Sequence, residues 1–260
     1  MKASPNPSEG RDTQTSSPVA SPPPGEGRVQ AGGGCSMFKP IAHFRSPFTS
    51  KFGIPKQAGL VENLKGEIVF EPEYRHADAL RGLDEFDFIW LIWGFSANPH
   101  AGSSLVVRPP LLGGNQKMGV FATRSPFRPN PIGLSSVRLT GIDMQRSDGP
   151  VLTVAGADLL DGTPIYDIKP YLVYTDSHPE ARSGFVDTHQ AQPLKVVFPD
   201  DVADTFSGEQ IEMLTGILSL DPRPRYQHDS QRIYGMPFAG RDIKFRVENG
   251  TCYVLRTEKR

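Results

Sequence analysis

The spacing of apolar and polar positions changes character along the chain. From Phe38 onward, short apolar or alternating runs are cut by proline and glycine, at 39–45, 67–71, 86–95, 117–123, 134–142, 150–157, 164–168 and 194–198. Short runs punctuated by turn formers predict the strands of an all-β barrel or sandwich. The densest run, Phe88-Ile89-Trp90-Leu91-Ile92-Trp93, falls far short of the roughly 18 apolar residues a bilayer span requires. It reads as a buried strand, with Trp90 and Trp93 as core residues. A short helix is expected around Ala77–Gly82. A longer one is expected at 208–219, where Ile211, Leu214 and Leu218 recur at helical spacing and Met213 and Ile217 widen the stripe. Asp221-Pro222 stops it. The chain then ends in DIKFRVE-NG-TCYVLRT, a hairpin whose Asn249-Gly250 is a type I′ turn signal. Ile243, Phe245 and Val247 should meet Val254 and Cys252 on one face, leaving Lys244, Arg246 and Tyr253 on the other. Strands do not alternate with long amphipathic helices, which argues against a doubly wound parallel sheet. Neither GxGxxG nor a P-loop occurs.

Composition separates the first 36 residues from the rest. Pro, Gly and Ser supply 18 of those 36 positions and aromatics none, so the segment cannot bury enough apolar surface to offset its ordering entropy. The expected plan is therefore a mainly β protein: a disordered tail over 1–36, a β-barrel over 37–199, and a small α+β unit, helix plus hairpin, over 200–260. Met37 opens the folded part and is a candidate translation start. The tail's start is polar and proline-rich, with no apolar core segment of a secretory signal.

Formal net charge is −1, so nucleic-acid binding has to rest on a local cluster of cations. Cys35 and Cys252 are far apart, without CxxC or Cys/His spacing, which supports neither a zinc site nor a disulfide framework and fits a reducing, cytoplasmic compartment. The histidines (His43, His76, His100, His178, His189 and His228) are scattered without HxH or HExxH, so no metal is expected. No serine lies in a GxSxG setting.

Three segments stand out chemically. Residues 107–135, VRPPLLGGNQKMGVFATRSPFRPNPIGLS, carry Arg108, Lys117, Arg124 and Arg128 among prolines and glycines, with Phe121 and Phe127 nearby. This composition suits a rigid surface for a nucleotide or phosphate, and equally a series of tight turns with exposed arginines. Residues 158–171, DLLDGTPIYDIKPY, hold a turn and then a short strand whose alternation would put Asp167 and Lys169 on one face with Ile165. That pair is either a buried, proton-tuning couple or a strand-edge salt bridge. Asp221-Pro222-Arg223-Pro224-Arg225-Tyr226 offers arginines and a ring for gripping a phosphate and stacking on a base, or a plain helix-to-strand connector.

Together with IPKQAGLV (54–61) and RGLDEFDFIWLIWGF (81–95), these segments resemble the TrmO, or TsaA-like, tRNA methyltransferases, from about Phe38 to the C-terminus. The resemblance implies a β-barrel enzyme that uses S-adenosyl-L-methionine to methylate N6 of N6-threonylcarbamoyladenosine, the base 3′-adjacent to the anticodon, in threonine tRNAs. It further implies a homodimer with the cofactor near the subunit interface, tRNA as partner, and no membrane. The family's cofactor contacts fall on Pro55, Lys56, Gln57, Phe95, Ser96, Arg124, Leu134, Asp158, Leu159, Leu160 and Asp161. Many relatives carry Arg where this chain has Lys56 and His where it has Ser96. Lysine is the weaker bidentate hydrogen-bonder and serine cannot stack, so those contacts are altered while backbone contacts survive.

Transfer by in-line displacement asks the protein mainly to place nucleophile and methyl together. Asp158, Asp161 and Phe95 suit a positive sulfonium. Asp167, oriented by Lys169, is the expected proton acceptor, in competition with the substrate's own threonine carboxylate, which Arg124 or Arg128 would bind. The expected cleft is one in which the arginine-bearing loop meets the turn holding Asp158 and Asp161. A non-catalytic RNA-binding or regulatory β-barrel is the alternative, distinguished by whether S-adenosylmethionine binds. A metal-dependent hydrolase lacks its ligand clusters.

Overall fold

The structure is a computed structural model that describes residues 38–97, 105–189, 192–224 and 229–260. The expected tail, Met37, His100, Arg225-Tyr226 and His228 lie outside them.

Six antiparallel strands close a barrel in the order β1-β2-β7-β6-β3-β8, where β1 is Ala42–Arg45, β2 Lys65–Phe70, β3 Phe88–Gly94, β6 Ile132–Asp143, β7 Val151–Ala155 and β8 Thr163–Pro170. Closure leaves no unpaired barrel edge. Alternation fills the interior: Ile89, Leu91 and Trp93 of β3 point in beside Phe44, Ile68, Val137 and Ile165, whereas Phe88, Trp90 and Ile92 face outward. Trp90 is therefore partly buried on the outer face rather than a core residue, a correction that follows from the period of two.

The segment expected as a strand at 117–123 pairs only at Met118–Gly119 (β5), with Val106–Val107 (β4), and then winds into a 3-10 turn over Val120–Ala122. The Thr123 hydroxyl closes that turn on the Val120 carbonyl at 2.8 Å. Pro126, Pro129 and Pro131 beyond it have no N–H to offer a ladder. The helix expected at Ala77–Gly82 is likewise one 3-10 turn, Ala77–Leu80, followed by Gly82 in a left-handed conformation, φ 80°.

Asp167 departs from simple alternation. β3 pairs Ile92 with Asp167 but Trp93 with Ile165, so Tyr166 is an extra, bulged residue. The bulge turns Asp167 and Ile165 to opposite faces: Ile165 is fully buried, and Asp167 points outward with Lys169. The same registers align Leu134, Ile92 and Asp167 in one row across the outer surface, and Ser136, Trp90 and Lys169 in the next.

A second core forms around a four-stranded sheet, β10-β11-β12-β9, with β9 Lys195–Val197, β10 Tyr234–Phe238, β11 Arg241–Glu248 and β12 Thr251–Lys259. Two short helices, α1 (Val173–Asp176) and α2 (Asp200–Ala203), precede the longer α3, Gly208–Ser219, which starts at a reciprocal Ser207–Gln210 capping box and buries Met213, Leu214, Ile217 and Leu218. The β11–β12 hairpin pairs Phe245 with Val254 and Val247 with Cys252, all buried, around Asn249 and Gly250 at φ 49° and 73°. β9, N-terminal to the expected division at 199/200, runs parallel to β12 in this sheet. Phe48, Val61 and Leu64, from the β1–β2 connection, complete the second core, so that connection straddles both.

Candidate functional site

The β1–β2 connection carries Pro55, Lys56 and Gln57 across the mouth of the barrel. Its course is fixed by backbone bonds, Gly59 N–H to the Gly156 carbonyl at 2.8 Å and Gly156 N–H to that of Leu64 at 2.9 Å. Pro55 is buried and Lys56 exposed. Gln57 meets the proline loop, where Arg124 Nη1 donates to Gln57 Oε1 at 2.5 Å. Arg128 turns the other way and donates Nη1 to the Thr123 carbonyl at 3.1 Å, stiffening the loop.

Beneath Arg124, a relay connects the cleft to the barrel core. The Trp93 indole N–H donates to Ser135 Oγ at 3.0 Å, and Ser135 Oγ donates to Asp158 Oδ1 at 2.6 Å. The Ala58 backbone also bonds the Asp158 carboxylate, and Arg124 attracts it. Burial nevertheless pushes the Asp158 carboxyl above its usual range, because desolvation penalises the charge more than these partners favour it. Phe95 packs edge-on against Trp93, ring centroids 4.4 Å apart.

Gln57, Arg124, Leu134, Asp158 and, through Trp93, Phe95 thus come together as one site. Arg124 and Leu134 line a cleft of ≈ 370 Å³, and Leu134 is 56% exposed there. Ser96 is exposed, its N–H bonded to the Gly94 carbonyl at 2.8 Å. Leu159 lies in the barrel core, which leaves only its backbone to a ligand, and Leu160 packs, partly buried, against the second core.

Asp161 does not join them. Its Oδ1 accepts the Ser46 N–H at 3.0 Å, and it faces a separate hollow of ≈ 200 Å³ beside His43, Arg45, Glu71 and Arg75. Gly162, φ 75°, makes the tight turn that follows Asp161. Of the two aspartates expected beside Arg124, only Asp158 is coupled to the cleft, through its bond to Ser135 in the wall and the attraction of Arg124.

The Asp167–Lys169 pair, Nζ to Oδ2 at 2.9 Å, is exposed rather than buried. It occupies the outer face that continues from Leu134. In the third motif, Arg223 grips its own loop, with Nε and Nη2 each 2.8 Å from the Asp221 carboxylate oxygens.

Sequence reasoning missed Ser135, Trp90, Tyr171 and Asp176. Ser135 was detectable as a polar residue at an inward strand position, where burial demands a partner. Trp90 was detectable from the alternation within β3. No group of three or more His, Cys, Asp or Glu suited to a metal ion occurs among the described residues, and no described helix is long and apolar enough to cross a membrane.

Comparison with known proteins matches residues 43–177 to the tRNA-methyltransferase O N-terminal domain and 191–260 to the TrmO C-terminal domain. The chain is 37% identical over 232 residues to a tRNA (adenine(37)-N6)-methyltransferase of Escherichia coli, an overlap covering 86% of this chain and 98% of that one. It is 37% identical over 220 residues to a Pseudomonas aeruginosa protein named "Putative S-adenosylmethionine-dependent methyltransferase RcsF", covering 78% of this chain and 89% of that one. A crystal structure of TrmO from P. aeruginosa superposes with a TM-score of 0.69 at 31% identity, over 86% of this chain and 96% of that one.

Proposed function

Since the chain belongs to the tRNA-methyltransferase O family, we propose that it transfers a methyl group from S-adenosylmethionine to N6 of adenosine 37 in tRNA, in the finer form N6-threonylcarbamoyladenosine of threonine tRNAs. The observation that carries this reading is the convergence of Arg124 and Leu134 on one cleft from separate elements, with Gln57 bonded to Arg124 and Asp158 bonded to Ser135 of the cleft wall.

The chemistry of that cleft fits the donor. Arg124 matches a ligand carboxylate, Leu134 offers an apolar face, and Asp158 supplies the negative charge that favours a cationic sulfur. When bound there, S-adenosylmethionine supplies an electrophilic methyl group. Ser135 keeps the Asp158 carboxylate oriented by donating to it, and the Trp93 indole fixes Ser135 in turn. Asp167, held by Lys169 and by the Ile168 N–H at 2.9 Å, accepts the proton leaving the target nitrogen, from the outer face it shares with Leu134. Phe121 and Phe127 of the arginine-bearing loop and Leu134 in the cleft present exposed apolar surface, which supports a homodimer. A tRNA substrate supports a cytoplasmic location.

The test is methyl transfer from isotopically labelled S-adenosylmethionine to threonine tRNA carrying or lacking the threonylcarbamoyl group. Label at adenosine 37 of the modified tRNA alone is the expected result. Equal labelling of both removes the finer substrate, and labelling of neither removes the activity.

A further inference from the structure

We propose that the outer wall formed by Phe88, Trp90 and Tyr171 is the seat on which a purine of the RNA substrate stacks, beside the donor site. The inference rests on the reading that the substrate is RNA, and it assigns to that RNA residues outside the donor's set.

The wall follows from strand register. Phe88 and Trp90 are the outward residues of β3, and the Tyr171 N–H, bonded to the Phe88 carbonyl at 3.0 Å, draws the tyrosine alongside. Its ring centroid lies 6.1 Å from that of Phe88 and 5.5 Å from that of Trp90. All three line the same cleft as Arg124 and Leu134.

Trp90 is held rather than merely exposed. Its indole N–H donates to Asp176 Oδ2 at 2.8 Å, and the same oxygen accepts the Leu172 N–H at 3.0 Å. These two donors keep the Asp176 carboxyl below its usual range, so it stays a charged anchor across neutral pH. The polar edge of the indole is thereby satisfied, and the ring plane is fixed before any ligand arrives. Such preorganisation lowers the ordering cost of stacking.

The surroundings select a nucleotide over a purely apolar ligand. Arg138 lies over the Phe88 ring at 4.8 Å, exposed at the outer rim, where a phosphate would meet it. Lys169 pairs with Trp90 across the strands, and Asp167 stands in the adjacent row. A base on Trp90 would therefore sit in the part of the cleft away from Arg124, with the expected proton acceptor in the adjacent row. Aromatic faces plus cations are what single-stranded bases require.

The experiment compares Trp90→Leu and Trp90→Phe with the wild type in three measurements. These are anisotropy titration with an anticodon-arm RNA, calorimetry with S-adenosylmethionine, and light scattering for molecular mass. Trp90→Leu is expected to weaken RNA binding about tenfold to a hundredfold, the range for loss of one stacked base. Trp90→Phe keeps a ring and should stay within about threefold of the wild type. Donor affinity and mass should not move in either variant. RNA binding unchanged in Trp90→Leu overturns the proposal. So does a loss confined to donor affinity, which would give the wall to the donor, or a change in mass, which would give it to a second copy. A wild type that binds the RNA through Trp90 yet methylates nothing removes the function proposed above and leaves the stacking seat standing.

Discussion

The hydroxyl of Ser135 donates to Asp158 across 2.6 Å, tying a part-buried carboxylate behind the cleft wall to a strand whose next inward residues are barrel core. Because Ser135 also accepts the Trp93 indole N–H, the charge at the site is positioned from inside the barrel.

Ser135→Ala removes that donor while leaving Asp158 as buried as before. The carboxyl, already raised by burial, should rise further, since nothing replaces the bond to its charged form. Hydrogen bonds to charged groups are worth about 1.5–3 kcal/mol, so S-adenosylmethionine affinity at neutral pH should fall about tenfold to a hundredfold. Calorimetry over acid and neutral pH should also show the acid limb of binding displaced to higher pH.

Asp158→Asn should trade function for stability. A carboxyl whose folded-state pKa is raised binds protons more readily in the native than in the unfolded state. Stability is then lost as pH rises from the ordinary carboxylate range through the raised value. The Asn variant lacks this term, so its melting temperature should gain on the wild type as pH increases through that window. Donor binding should be lost, and parallel melting curves at every pH would contradict the assignment.

Gly133 is required by Trp93. A Cβ at position 133 would lie 2.2 Å from the indole Cε2 and cannot be accommodated without moving the ring. Gly133→Ala should cost about 1–3 kcal/mol by overpacking, and Trp93→Leu in the same chain should recover part of it. Urea denaturation measures both.

Cys252 is fully buried in the second core, and burial pushes its thiol up to about 12. Only the thiolate reacts, so alkylation at Cys252 should be negligible in the native protein near neutral pH. It should appear only as the C-terminal sheet opens. Peptide-resolved mass spectrometry after timed iodoacetamide exposure reads this directly.

Asp167→Asn should lower kcat about a hundredfold or more while leaving donor affinity unchanged, the signature of a lost proton acceptor. Full turnover in that variant would hand the proton to the substrate's own carboxylate.

Much of the fold was legible because a closed barrel repeats one rule, inward and outward by turns, and β3 and the final hairpin obey it. The rule failed where one residue was added. The bulge at Tyr166 reverses Asp167 relative to Ile165, and no composition signals it. β10 was missed because Gly235 and Pro237 interrupt its pattern, which an edge strand tolerates. At the site, Gln57 and Arg124 are 67 positions apart in sequence, so their meeting came from resemblance and not from spacing. Asp158 and Asp161 looked like a pair because they flank two leucines. Asp158 instead bonds Ser135 in the cleft wall, whereas Asp161 accepts the Ser46 N–H beside a separate hollow.

The central claim is tested most directly by mass spectrometry of nucleosides from threonine tRNA incubated with S-adenosylmethionine and either the wild type or Arg124→Ala. The expected result is that the wild type converts N6-threonylcarbamoyladenosine to a product one methyl heavier at N6 and that Arg124→Ala forms almost none. An unaltered nucleoside profile with the wild type, or full conversion by Arg124→Ala, would contradict it.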